Sequence, residues 1–206
     1  MKIKFLITFF ALAIIIVSCG KEQKRRGLDY DLLKKELNLT AEQSNQFDEV
    51  ATKFKTMAEE NKAANMSEGG KMNRTAFFTK MEEIYKQQAS VMSEILDENQ
   101  MVAYNTFMDK NTRKRPRYND ELLAKIKTEL ELDDDQAKVL EAANNAFEKE
   151  FQDAHDIYHG NEQLAMEYRE KFDAQRRSAI EGVLDRDQIE KFRELVKEEV
   201  VQKEEK

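Results

Sequence analysis

The chain has 206 residues, a net charge of −7, one cysteine, one proline and six glycines. A surplus of acids offers no basic face to phosphates, which argues against nucleic acid as a partner, and a single cysteine cannot close an internal disulfide. There is no glycine-rich phosphate loop, no serine in a nucleophile elbow and no free thiol in the body of the chain, while acids spread over helix faces serve solubility and helical pairing. No enzymatic activity and no cofactor are therefore expected.

Residues 1–18 read as a lipoprotein signal peptide. Lys2 and Lys4 form a short positive region, Phe5 to Val17 is an uncharged apolar run of 13 residues, and Ser18 places a small residue directly before Cys19. The run is too short to cross a bilayer of about 30 Å as a helix. Cys19 stands where the bacterial lipobox places the cysteine that is acylated after cleavage. Two or more lipid chains there would hold the protein stably on a membrane. Cleavage would remove two lysines and no acid, taking the net charge from −7 to −9. The expected location is the cell envelope, on the periplasmic side of a bacterial membrane. Residues 19–27 form a basic tether in which Lys21, Lys24, Arg25 and Arg26 can meet anionic headgroups. Lys21 and Glu22 are similar to the export signal of some surface lipoproteins, with Gln23 in place of the second acid, which keeps surface display open.

From residue 28 onward the pattern is helical almost throughout, an all-α fold. Phe47, Val50, Phe54, Met57 and Ala58 share one helix face, and Phe77, Met81, Ile84, Val91 and Ile95 another, with Ser67, Glu68, Gly69 and Gly70 breaking the pattern between them. The arrangement returns as Leu140, Ala143, Phe147 and Phe151, then Gly160 and Asn161, then Leu164, Tyr168, Phe172, Ala179 and Val183. Two units of long helical hairpins with short capping helices follow, at 28–112 and 119–206. A basic linker at 113–118 joins them through Arg113, Lys114 and Arg115.

A four-fold recurrence marks both units. Leu39-Thr40-x-x-Gln43, Leu96-Asp97-x-x-Gln100, Leu132-Asp133-x-x-Gln136 and Leu184-Asp185-x-x-Gln188 each set a capping residue three positions before a glutamine. Thr or Asp at the N-cap accepts from the amide three residues on, and Gln bonds back to the cap's own amide, a capping box. The preceding Leu stands where a hydrophobic staple packs on the fourth helical residue: Met101, Ile189, Ala137 or, poorly suited, Ser44. These motifs read as helix starts with no direct chemical role.

An exported helical chain with paired Leu-Thr-x-x-Gln motifs some fifty residues apart resembles the LTXXQ-motif, Spy/CpxP-like periplasmic proteins. The pattern covers nearly the whole mature chain twice, although only Leu39 to Gln43 keeps the literal Thr. The resemblance implies an ATP-independent chaperone or envelope-stress regulator whose concave helical surface holds unfolded or envelope proteins. Met66, Met72, Phe78 and Tyr85, which fall off the main apolar stripe, are the candidate client-binding residues; methionine suits promiscuous surfaces. Aligning Gln43 with Gln136 and Gln100 with Gln188 keeps apolar character at offsets of 93 and 88 residues. Spy-like chaperones work as homodimers of one unit, so the resemblance implies a fused pair: a monomer with internal pseudo-two-fold symmetry forming one cradle; the alternative is two units strung end to end, each exposing its own apolar face and dimerising through it. Two rival functions stand beside this one. The family's heavy-metal sensors direct attention to His155 and His159, four apart, with Glu150, Asp153, Asp156 and Glu162 as possible oxygen ligands. A structural adaptor would instead show one contiguous apolar patch with a defined rim.

Overall fold

The computed structural model describes residues 28–204, with side chains to Lys197. The signal peptide, Cys19 and the basic tether lie outside the described residues. Within these bounds the chain is all α, with no strand beyond an isolated antiparallel bridge between Met66 and Met72. No helix among the described residues is long and apolar enough to cross a membrane.

The first unit contains α1 (Tyr30–Leu37), α2 (Ala41–Ala64), α3 (Arg74–Met92) and α4 (Glu98–Asn111). At 24 residues, α2 is about 36 Å long, and it packs along α3 as a hairpin while α1 and α4 pack together at its open end. The second unit contains α5 (Asp120–Glu129), α6 (Asp134–Asp153), the single turn α7 (His155–Tyr158), α8 (Glu162–Glu181) and α9 (Arg186–Glu204). Here α6 packs along α8, and α5 meets α9.

Local chemistry starts the helices. Thr40, Asp97 and Asp133 close full capping boxes with Gln43, Gln100 and Gln136. Asp185 and Gln188 exchange the same two bonds. Asp29, Asn73, Asn119 and Asn161 accept from the amide three residues on at the heads of α1, α3, α5 and α8, caps that the four-fold motif does not include. Each such cap is worth about 1 kcal/mol.

One pattern of contacts recurs in both units. At an offset of 93, Leu33 and Ile126, Leu37 and Leu130, and Phe47 and Leu140 are buried alike. At an offset of 88 the same holds for Met92 and Ile180, Tyr104 and Phe192, and Phe107 and Leu195. Even the backbone strain matches: Asn38 and Glu131, each just before a motif leucine, have φ of 48° and 50°. Asn73 and Asn161 cap equivalent helices. The predicted stripe of the first hairpin is observed, with Phe54, Met81 and Ile84 packed among Val50, Met57, Ala58, Phe77 and Val91. In the second hairpin the stripe ends early, because Ala179 and Val183 are exposed.

The units meet through α3 and α6, not through equivalent helices. A two-fold relation would set α2 against α8 as extensively as α3 against α6, and α2 and α8 show no packing of that extent. The expected pseudo-two-fold cradle is therefore not the arrangement within this chain. The helices that meet, α3 and α6, stand at different places in their units, so the contact joins unlike faces.

Candidate functional site

The motif glutamines do more than cap. Gln43 Nε2 donates to Gln100 Oε1 at 2.9 Å and to the Ile95 carbonyl at 3.0 Å. Gln100 Nε2 donates to the Leu37 carbonyl at 3.1 Å and back to Gln43 Oε1 at 3.4 Å. The second unit repeats this: Gln136 donates to Gln188 and to the Val183 carbonyl, and Gln188 donates to the Leu130 carbonyl and back to Gln136. Leu37 is the last residue of α1 and Leu130 follows the last residue of α5, so these carbonyls lack helical partners. Each glutamine thus completes its own helix start, helps close the end of another helix, and pairs with its counterpart across the hairpin's open end. The motif is a structural clasp, and the helix starts predicted from the residues were half of its work.

The linker at 113–118 is docked rather than free. Arg115 donates from Nε to Glu148 Oε1 at 2.6 Å, from Nη2 to Glu148 Oε2, and from Nη1 to Glu82 Oε2 at 3.0 Å. Glu148 is 1% exposed. Burial works against the charge of Arg115, but its bonds to Glu148 and Glu82 outweigh this and hold its pKa above the ordinary value. Glu82 belongs to α3 and Glu148 to α6, so one guanidinium pins the two units. Lys86 to Asp120 at 3.0 Å and Arg74 to Asp156 at 3.7 Å add ion pairs along the same seam. Tyr118 is held at both backbone groups by the Asn144 side chain. Behind it the buried Arg176 lies between the Tyr118 ring at 3.5 Å and the Phe147 ring at 4.0 Å, bonded to Asn144 and Asp173. Burial drives the Tyr118 hydroxyl up to about 12, with Arg176 pulling the other way.

The four candidate client-binding residues do not form one patch. Met66 and Met72 are bridged at the tip of the first hairpin, with Met66 exposed. Phe78 is half-buried, edge-on to Phe77 and under the Arg113 guanidinium at 5.0 Å. Tyr85 packs partly into the core and lines an open groove between α2 and α3. That groove has a volume of about 590 Å³, with Leu28, Phe54, Ala58 and Met81 as apolar walls beside Tyr85 and with Asp29, Asp31 and Lys55 on its rim. Three of the nine methionines serve otherwise: Met81, Met92 and Met108 are buried. The groove was not legible in the sequence because its walls come from three segments, and its one local trace there is the off-stripe position of Tyr85.

His155 and His159 do come together, with ring centroids 4.8 Å apart. The main helix ends at Asp153, and the single turn of α7 buries His155 against Tyr158 while Asp156 lies 3.4 Å from its Nδ1. Burial lowers the His155 pKa below its ordinary value despite Asp156. Of the proposed oxygen donors, Asp153 pairs with Lys149, and Asp156 lies between His155 and Arg74. Among the described residues no group of three or more His, Cys, Asp or Glu is placed to hold a metal ion.

Compared with protein-family models, curated proteins and solved structures, the chain matches none.

Proposed function

We propose that this chain is an envelope lipoprotein built from two Spy-like copies of one helical unit, anchored through Cys19, that holds unfolded or partly folded proteins without nucleotide. The observation that carries the reading is the groove between α2 and α3, an open apolar trough with a charged rim that suits the alternating side chains of a non-native segment. Exposed Val102, Ile157 and Met166 add scattered apolar contacts, a distribution that fits many clients better than one folded partner. The clasped glutamine pairs support the resemblance to LTXXQ proteins, since they give the paired motifs a shared structural task. Nothing in the arrangement of His155 and His159 favours metal sensing over protein binding.

The test is suppression of aggregation of an unrelated unfolding protein, without ATP. Ala58 stands where the second unit has Phe151 at the offset of 93, so Ala58→Phe fills the trough with the residue that its counterpart already carries. Suppression by the unaltered chain and a several-fold loss in A58F, with unfolding midpoint kept, are expected. Full activity in A58F would remove the groove from the mechanism.

A further inference from the structure

The seam between the units joins unlike faces, so each unit keeps free the face that its counterpart uses. On α3 the seam presents Glu82, with Phe78 one turn earlier under Arg113 of the linker; at the offset of 88 they correspond to Glu170 and Met166 on α8. On α6 it presents Glu148, which corresponds at the offset of 93 to Lys55 on α2. Both outer faces are open: Met166 is 62% exposed, and Lys55 and Glu170 are exposed as well. Among the described residues neither Lys55 nor Glu170 has an ion-pair partner.

The charges on these faces explain why they could meet without a linker. Within the chain two carboxylates, Glu82 and Glu148, stand at the seam, and Arg115 is inserted between them. On the outer faces the second carboxylate is replaced by Lys55, so Glu170 and Lys55 can pair directly. An apolar knob, Met166, stands at the position that Phe78 holds on α3, where it packs under Arg113 of the linker. We propose that a second copy of this chain docks on the first by laying its α2 against α8, repeating the internal seam between molecules. The inference rests on the reading of the chain as two copies of one unit. Because the contact joins unlike faces, it leaves a free α2 at one end and a free α8 at the other. The product is an open head-to-tail stack, not a closed dimer.

Zero-length carbodiimide coupling of a concentrated mixture of isotopically light and heavy full-length chains tests this, because it joins Lys and Glu side chains only when they touch. Lys86 and Asp120, paired within the chain, supply an internal reference. The expected result is a mixed-label Lys55–Glu170 product beside a same-label Lys86–Asp120 product, with species beyond the dimer growing with concentration. K55E and E170K each abolish the mixed-label product, and the double variant K55E/E170K restores it with the partners reversed. A Lys86–Asp120 product without any mixed-label Lys55–Glu170 product would overturn the stack alone. Loss of the Lys86–Asp120 product as well would overturn the internal seam and the two-unit reading beneath it. Growth that stops at a dimer would also overturn the open arrangement.

Discussion

The two units solve one packing problem with different chemistry. At equivalent positions of α3 and α8 the first unit buries Gln88 and the second buries Arg176. Gln88 exchanges bonds with a single neutral partner, the Tyr30 hydroxyl. Arg176 is clamped between two aromatic faces and tied to Asn144 and Asp173. The difference follows from what precedes each unit's first short helix. Tyr30 opens α1 from within, whereas Tyr118 belongs to a linker that has to be fastened from outside, and the charged groups of the second unit do the fastening. A neutral pair suffices where the chain already packs. An ionic network appears where a join must be held.

The largest test of this contrast is truncation at the equivalent positions. Arg176→Ala removes the bonds to Asp173 and Asn144 and the contacts with both rings, although Asp173 keeps Arg177 and Asn144 keeps Tyr118, and should cost about 3 kcal/mol or more, against about 1–3 kcal/mol for Gln88→Ala. Denaturant unfolding of both variants checks this, and equal losses would erase the distinction between the units. The same variant has a second readout. The folded-state pKa of Tyr118 lies above its unfolded value near 10, so its contribution is present below pH 10 and is lost as pH rises toward 12. Because Arg176 holds that value down, its removal should move the tyrosinate absorbance change to still higher pH.

The glutamine clasps should behave alike in both units. Gln100→Ala and Gln188→Ala each remove a cap bond, a bond to the end of another helix and the cross-hairpin pair, for about 1–3 kcal/mol. Asp97→Ala or Asp185→Ala, which removes only the local cap, should cost about 0.5–2 kcal/mol. In a double-mutant cycle, Gln43 and Gln100 should couple by at least about 0.5 kcal/mol. Additive losses would mean that the reciprocal bond contributes nothing.

What could be read from the sequence was set by distance along the chain. A capping box spans three residues, so Thr40, Asp97, Asp133 and Asp185 were legible as helix starts. The outward bonds of the same glutamines reach carbonyls 47 to 63 residues away and left no local trace. Arg115 reads as part of a basic linker because its partners, Glu82 and Glu148, each lie 33 residues off. The predicted two-fold relation failed for a related reason. Two copies of a unit show in sequence as an offset, but whether like or unlike faces meet is decided by side chains such as Glu82 and Glu148, whose facing only the fold reveals.

The smallest expected effect concerns the matched left-handed positions. Asn38 tolerates a φ of 48°, while Glu131 pays for a φ of 50° through the crowding of its Cβ. Glu131→Asn should therefore stabilise the second unit by up to about 1 kcal/mol, and Asn38→Gly should change the first by only a few tenths. Thermal unfolding resolves the pair; a destabilised Glu131→Asn would show that the carboxylate has a use not visible in its contacts.

The docked linker also bears on proteolysis. Arg113, Lys114, Arg115 and Arg117 lie within five residues, the composition that a trypsin-like protease would be expected to cut first. Such an enzyme needs a stretch of chain drawn out into its cleft. With Arg115 locked between two carboxylates and Tyr118 held by Asn144, that stretch becomes available only when the join lifts from α6. The lifetime of the intact chain is then governed by how often this local opening occurs rather than by how basic the segment is.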